Sequence, residues 1–179
     1  MYRRLIGFEL EGLELKTVDG CARTLVDLLN AASLTCSTAE SCTGGGIGAA
    51  ITSVPGASAV FNGGAIVYAN SAKRDVLGVP AEILDKCGAV SAECAAAMAE
   101  GARRLYRTDL AVSATGIAGP GGGSAEKPVG LVWFAIASSG GVRAEKALFP
   151  GGRDEIRAEA VIHAIGMLSA AAISKGGKK

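Results

Sequence analysis

The chain alternates between apolar segments with the spacing of helices and apolar segments with the length of strands, and this alternation limits the fold more than any other feature. Helical segments repeat apolar residues every three to four positions, whereas buried strands are short continuous apolar runs. The predicted strands are 34–39, 61–68, 109–115, 129–138 and 142–149, and the predicted helices are 19–33, 47–53, 70–77, 80–88, 91–107 and 153–173. Alternating helices and strands followed by a hairpin indicate a single α/β domain with a mixed β-sheet.

The domain boundaries follow from the same pattern. Residues 1–17 show no clear period and are treated as an N-terminal extension, 18–173 form the domain, and 174–179 are expected to be a flexible tail. The apolar run 130–137 is too short to span a bilayer, and acidic residues interrupt the N-terminal segment after its arginines. We therefore expect neither a membrane span nor a signal peptide.

Charge and cysteine usage narrow the class of partner. The net charge is only +1, from eighteen Lys and Arg and seventeen Asp and Glu. The chain also has few aromatic rings on which bases could stack, namely one Trp, three Tyr and four Phe. Nucleic-acid binding is therefore not expected. Five cysteines without a CxxC pair favour a reduced, cytoplasmic protein. The cysteines and the single histidine lack metal-ligand spacing, and no Walker A or dinucleotide fingerprint is present, so we expect no metal and no cofactor. The alanine- and glycine-rich composition would allow a homo-oligomer.

Glycine clusters follow two of the predicted strands, at the position where α/β sheets bind ligands. The first cluster, 44–46, is preceded by Ser41, Cys42 and Thr43 in a strand-to-helix turn. Such a turn presents free N–H groups and the positive end of a helix dipole, which can bind a phosphate or stabilise a developing oxyanion. A hydroxyl at the same turn is well placed to act as a nucleophile. The alternative is a helix cap followed by glycines that allow tight packing.

A hydroxyl nucleophile at this turn needs a base. The only histidine, His163, lies on an apolar helical stripe and is expected to be a core residue. A lysine whose pKa is lowered by burial is the remaining choice, and Lys73 lies in the first turn of the helix that follows the second strand. The alternative for Lys73 is a surface lysine paired with Asp75 or with solvent.

The string Thr38-Ala39-Glu40-Ser41-Cys42-Thr43-Gly44-Gly45 resembles the signature of the CinA C-terminal family. Further segments resemble the same family in the same order, namely 54–58, 68–73, 77–79, 88–91, 115–120, 127–130 and 151–154. The resemblance covers the chain from about residue 18 to about residue 172. It implies a three-layer α/β/α sandwich around a mixed sheet.

Members of that family are nicotinamide-nucleotide amidohydrolases, which hydrolyse the carboxamide of nicotinamide mononucleotide to nicotinate mononucleotide and ammonia. The resemblance therefore implies a small-molecule nucleotide substrate, with Ser41 as nucleophile, Lys73 as base and Tyr68 moving or orienting a proton. Substrate contacts are expected at Cys42, Thr43, Gly44, Gly45, Asn70, Gly116 and Arg153. Among these, the N–H groups of 42–45 would hold the oxyanion and Arg153 would hold the phosphate.

Two alternatives to this assignment stay open. A thiolate at the start of a helix is activated there, so Cys42 is a second candidate nucleophile. The domain could also be a non-catalytic nucleotide-binding or interaction module linked to competence or to the response to DNA damage.

Overall fold

The computed structural model describes residues 17–176, so most of the predicted N-terminal extension and the last three residues of the predicted tail lie outside the described residues. The strands are β1 (Cys36–Glu40), β2 (Phe61–Ile66), β3 (Leu110–Gly116), β4 (Leu131–Ser138) and β5 (Gly141–Leu148). The helices are α1 (Val18–Ala32), α2 (Gly46–Thr52), α3 (Asn70–Leu77), α4 (Ala81–Lys86), α5 (Ala92–Tyr106) and α6 (Arg153–Gly176), and a short 3₁₀ helix covers Ala57–Ala59.

The five strands form one mixed sheet in the order β2-β1-β3-β4-β5. β1 lies between β2 and β3 and is parallel to both, whereas β3, β4 and β5 are antiparallel neighbours. Glu40, at the end of β1, is in register with Ile66 at the end of β2 and with Ala114 near the end of β3. The chain therefore leaves the three parallel strands at the same edge of the sheet, which is where α/β folds bind ligands.

Helices cover both faces of the sheet, and the protein is thus the three-layer α/β/α sandwich that the sequence predicts. Alternate residues of β3 divide between the two cores, because successive side chains of a strand point to opposite faces. Leu110 and Val112 pack in the core that α1, α2 and α6 cover. Ala111 packs in the core beneath α5, which also contacts α3.

Small residues let α5 lie close to the sheet. Ala95 and Ala99 of α5 pack against Ala135 and Ala137 of β4, and all four are buried. The Ser113 hydroxyl of β3 donates to the carbonyl of Ala95 at 2.6 Å. The alanines of the sequence therefore serve a close contact between a helix and the strands that it covers.

Several element ends and caps differ from the sequence prediction by a few residues, among them the following. Thr17, which the sequence assigns to the extension, caps α1 because its hydroxyl accepts a main-chain N–H of the first turn. α3 begins at Asn70, as predicted, and its N-terminus has no side-chain cap, although Asn and Ser are common capping residue types. α6 continues to Gly176, past the predicted end at 173.

Within residues 17–176, α6 is the one helix long and apolar enough to cross a membrane. Its packing against α1 and β3 is that of a core helix. His163 of α6 is 8% exposed, lies against the Phe134 ring and shares a 2.9 Å hydrogen bond with Glu145 of β5. The predicted core position of His163 is thus confirmed.

Candidate active site

A pocket of about 200 Å³ opens at the sheet edge where β1, β2 and β3 end. Its walls come from the turn after β1, the segment between β2 and α3, the end of β3 and the start of α6. The predicted site residues that line it are Ser41, Cys42, Tyr68, Asn70, Lys73, Gly116 and Arg153. Thr43, Gly44 and Gly45 belong to the turn beside the pocket but do not line it. No group of three His, Cys, Asp or Glu side chains in residues 17–176 is arranged to hold a metal ion.

Lys73 and Ser41 meet inside this pocket. The Lys73 Nζ lies 3.0 Å from the Ser41 Oγ, 3.0 Å from the carbonyl oxygen of Val67 and 3.1 Å from that of Tyr68. Only 1% of Lys73 and 7% of Ser41 is exposed. The main-chain N–H of Lys73 donates to the carbonyl of Ala69 in the first turn of α3, so the helix holds the lysine beside the end of β2. The parallel pairing of β1 with β2 then places the Ser41 hydroxyl within its reach.

The buried amine of Lys73 has no carboxylate partner among residues 17–176. Burial lowers the pKa of Lys73 below its ordinary value, and the neighbouring Cys94, Cys42 and Tyr68 side chains oppose that shift only in part. Asp75, the partner that a surface position would give it, pairs with Arg74 instead. The surface alternative for Lys73 is therefore wrong.

The Lys73 Nζ donates hydrogen bonds to three oxygen atoms, which are the carbonyls of Val67 and Tyr68 and the Ser41 Oγ. An amine that has lost one proton keeps two N–H donors, which the two carbonyls can accept. Its lone pair would then face the Ser41 hydroxyl, which is the arrangement that a general base requires.

The main chain fixes Ser41 from both sides. Its N–H donates to the carbonyl of Ala114 at 2.9 Å, which continues the pairing of β1 with β3, and its carbonyl accepts the Gly44 N–H at 3.1 Å. Gly44 and Gly45 have φ values of 62° and 95°, a region that glycine reaches without steric cost. The glycines thus let the chain turn from the strand directly into α2 and keep the hydroxyl at the pocket.

Glu40, the last residue of β1, occupies the Gly45 N–H, which is one of the N–H groups of 42–45 predicted to hold an oxyanion. The side chain is 1% exposed. Its Oε2 accepts from the Thr43 hydroxyl at 2.8 Å and from the N–H groups of Gly45 and Ile47 at 3.0 Å each, and its Oε1 accepts the Gly48 N–H at 2.8 Å. Glu40 was not predicted as a site residue, although an acidic residue at the end of a buried strand is a signal that the sequence contains.

Cys42, the other candidate nucleophile, is 6% exposed. Burial raises the pKa of its thiol to about 11, although the main-chain N–H groups of Cys42 and Thr43 favour the thiolate. The thiol is therefore protonated at neutral pH, which weighs against Cys42 as the nucleophile. Within residues 17–176 these two N–H groups donate to no oxygen atom.

Tyr68 contributes its main-chain carbonyl, rather than its hydroxyl, to the environment of Lys73. Its side chain lines the pocket and is 64% exposed. Asn70, the first residue of α3, is exposed beside it and also lines the pocket. The ring of Tyr68 thus forms part of the pocket entrance.

Two arginines of α6 contact the loops around the pocket. The Arg153 Nη1 donates to the carbonyl of Gly119 at 2.8 Å, which ties the glycine loop after β3 to the start of α6. Arg157, which the sequence analysis did not select, donates from Nη2 to the carbonyl of Thr43 at 2.9 Å, and its buried Nε has no hydrogen-bond partner within residues 17–176. A spacing of four residues puts both arginines on one face of the helix. Arg157 could have been selected from the sequence by this spacing from Arg153.

The family model for the CinA C-terminal domain matches residues 18–172. The chain belongs to this family. It is 50% identical over 154 residues to a CinA-like protein of Parasynechococcus marenigrum, a match over 85% of this chain and 37% of that protein. It is 51% identical over 133 residues to a CinA-like protein of Geotalea uraniireducens, a match over 74% of this chain and 32% of that protein. The chain thus spans about a third of the length of these curated relatives.

Solved structures of CinA proteins share the fold. The competence/damage inducible protein CihA from Agrobacterium tumefaciens is 48% identical, with a TM-score of 0.82 over 84% of this chain and 93% of that chain. The competence damage-inducible protein A from Klebsiella pneumoniae is 35% identical, with a TM-score of 0.83 over 86% of this chain and 95% of that chain. The predicted family and the predicted sandwich are both confirmed.

Five of the eight CinA-like segments of the sequence contribute residues to the pocket lining, including Ala89 and Val90 of segment 88–91. The signature 38–45 forms the end of β1 and the turn into α2, 68–73 leads from β2 into α3, and 115–120 follows β3. Segment 151–154 brings Arg153 to the same place. Motifs far apart in sequence meet because the three parallel strands end side by side.

Proposed function

We propose that this chain is an amidohydrolase that converts nicotinamide mononucleotide to nicotinate mononucleotide and ammonia, with Ser41 as the nucleophile and Lys73 as the general base. The proposal is carried by the 3.0 Å contact between the Lys73 Nζ and the Ser41 Oγ in a buried pocket. A hydroxyl beside an uncharged amine is the arrangement that serine–lysine acyl transfer uses. The choice of substrate rests on the resemblance to the CinA family.

In the first half of the reaction, Lys73 takes the hydroxyl proton while the Ser41 Oγ forms a bond to the carboxamide carbon. The carbonyl oxygen receives the electron pair and becomes an oxyanion, which the N–H groups of Cys42 and Thr43 would stabilise. When this intermediate collapses, the C–N bond breaks and protonated Lys73 gives its proton to the leaving nitrogen. Ammonia departs, and Ser41 carries nicotinate mononucleotide as an ester.

In the second half, water enters the position that ammonia has left. Lys73 takes a proton from this water as the oxygen attacks the ester carbon, and the same N–H groups stabilise the second oxyanion. Collapse breaks the bond to the Ser41 Oγ, which recovers its proton from Lys73. The products are nicotinate mononucleotide and an enzyme in its starting state.

Substrate recognition would use the pocket entrance. Arg153 donates one N–H to the Gly119 carbonyl, and its other N–H groups would bind the phosphate of the substrate. The exposed ring of Tyr68 offers its face to the positively charged pyridinium ring, an attraction of about 0.5–1 kcal/mol at exposed sites. In this proposal Tyr68 positions the substrate, and its hydroxyl is not needed for proton transfer.

We also propose that the reaction takes place in the cytoplasm. All five cysteines are free, and four of them are buried. Free thiols are typical of proteins in a reducing compartment.

Ammonia release from nicotinamide mononucleotide tests the proposal. Ser41→Ala should lower turnover by at least about 10³-fold, because removal of a nucleophile abolishes covalent catalysis. Ser58→Ala changes an exposed serine away from the pocket and is the matched control. Turnover by Ser41→Ala at the level of the control would contradict the mechanism, and a folded wild-type protein without turnover would favour the non-catalytic module.

A further inference from the structure

Glu40 is a buried carboxylate surrounded by neutral donors. Besides the four donors already described, the Thr38 hydroxyl donates to its Oε1 at 3.2 Å. No Lys, Arg or His within residues 17–176 lies at ion-pair distance from it. A buried charge is costly unless it is fully hydrogen-bonded, so such a residue needs a structural or functional reason.

The hydrogen-bond donors around Glu40 require a side chain that only accepts hydrogen bonds. Two hydroxyls and three main-chain N–H groups point at the two carboxylate oxygens. A glutamine side chain has the same shape, but its NH₂ group would face donors on one side. Position 40 therefore needs a carboxylate group, and a side chain of the same size and shape is not sufficient.

The hydrogen bonds of Glu40 tie together both ends of the turn that carries Ser41. Thr38 belongs to β1, Thr43 lies in the turn, and Gly48 belongs to α2. Ser41 directly follows Glu40, so a shift of this carboxylate would shift the hydroxyl relative to Lys73. Glu40 itself does not line the pocket, so it acts on the reaction only through the turn.

We propose that Glu40 is a positioning residue, which holds the turn that carries Ser41 in its reactive shape by accepting hydrogen bonds from the two threonine hydroxyls and from the N–H groups at the start of α2. Two consequences follow for the site. The N–H of Gly45 is occupied, so the oxyanion depends on the N–H groups of Cys42 and Thr43. The substrate phosphate is left to Arg153. This inference rests on the proposed role of Ser41 as the nucleophile.

Glu40→Gln should lower kcat by about 10²-fold with little change in KM, because misplacing a reacting group by about 1 Å costs this much and the substrate does not touch Glu40. The exchange of the Gly45, Ile47 and Gly48 amide hydrogens, followed by NMR, should become faster in the same variant because their acceptor is weakened. A role confined to folding would lower the melting temperature but leave kcat of the folded protein unchanged.

Two threonine variants form a matched pair. Thr43→Val and Thr38→Val each remove one hydroxyl that donates to the Glu40 carboxylate. Thr43 lies in the turn, and Thr38 lies in β1. Thr43→Val should lower kcat several-fold, whereas Thr38→Val should stay within about twofold of the wild type because β1 is held by both neighbouring strands. Equal losses in the two variants would overturn the proposal.

Labelling of Ser41 with a sulfonyl fluoride separates this inference from the proposed substrate. Lys73 takes the hydroxyl proton, the Ser41 Oγ forms a bond to sulfur and the S–F bond breaks to release fluoride, so the rate reports the reactive geometry without an amide substrate. Wild-type protein that is labelled but releases no ammonia would overturn the proposed function alone. Slower labelling of Glu40→Gln, by about tenfold or more, supports the positioning role. Labelling at the wild-type rate with the turn amides still protected would overturn it.

Discussion

Lys73→Met tests the uncharged lysine most directly. Methionine has a similar length and is apolar, so it keeps the shape of the site while it removes the amine. Loss of a general base should lower kcat/KM by about 10²–10⁴-fold. The variant also leaves the buried carbonyls of Val67 and Tyr68 without their donor, which costs about 1–3 kcal/mol each at every pH.

The pH dependence of stability distinguishes an uncharged amine from a charged one. Burial lowers the pKa of Lys73 in the folded protein below the ordinary value of 10.5. Between these two pKa values the unfolded chain binds a proton at Lys73 and the folded protein does not. Unfolding then takes up a proton, so the free energy of unfolding rises with pH. The wild type should gain about 1.4 kcal/mol per pH unit relative to Lys73→Met in that window, and the difference should be constant below it.

Urea unfolding followed by the fluorescence of Trp133, the single tryptophan, measures this difference from about pH 6 to about pH 10. Over the same range kcat/KM should rise tenfold per pH unit and level off at the Lys73 pKa of the free enzyme. Lys175→Met, which removes an exposed amine bonded to Ser139, is the control and should follow the wild type. A stability difference that does not change with pH, together with a flat kcat/KM, would refute the reasoning.

Three further predictions concern the nucleophile, the pocket entrance and the helix packing. Cys42→Ser should lower ammonia release by less than about tenfold, because its buried thiol is protonated, whereas loss of a true nucleophile would cost far more. Tyr68→Phe should keep kcat, and Tyr68→Ala should raise KM several-fold; a large loss of kcat in Tyr68→Phe would instead show that the hydroxyl transfers a proton. Gly101→Ala should destabilise the protein by about 1–3 kcal/mol, because its Cβ would collide with the carbonyl of Leu77. Gly166→Ala, in open space on α6, should stabilise it by about 0.5–1 kcal/mol, and urea unfolding of the two variants checks both signs.

The order of helices and strands could be predicted because each segment carries its own period and end signals. Ser91 illustrates this, since its hydroxyl caps α5 through the Cys94 N–H as its residue type suggests. The cap of α3 could not be predicted in the same way, because Asn70 has the residue type of a cap but lies inside the helix. The strand order β2-β1-β3-β4-β5 depends on contacts between distant segments, which no local pattern contains.

The residue types of the site could be predicted, but their partners could not. Ser41 and Lys73 were identified by elimination of other chemistry and by the resemblance to the CinA family. Their 3.0 Å contact depends on the register of β1 with β2, which the sequence does not specify. The N–H groups of the glycine turn were expected to face a ligand, and Gly45 instead donates to Glu40. The sequence could not reveal that an acidic side chain folds back beneath its own turn.

The two buried ionisable groups beside Ser41 have opposite requirements. Lys73 must be uncharged to take a proton, whereas a carboxylate at Glu40 would raise the pKa of a lysine close to it. The structure separates them, because the carboxylate bonds the N–H groups of α2 while the amine bonds the carbonyls of Val67 and Tyr68. Glu40→Gln should therefore lower kcat without moving the pH at which kcat/KM rises. A rise that moves to lower pH in this variant would show that the carboxylate does act on Lys73, and that the separation is incomplete.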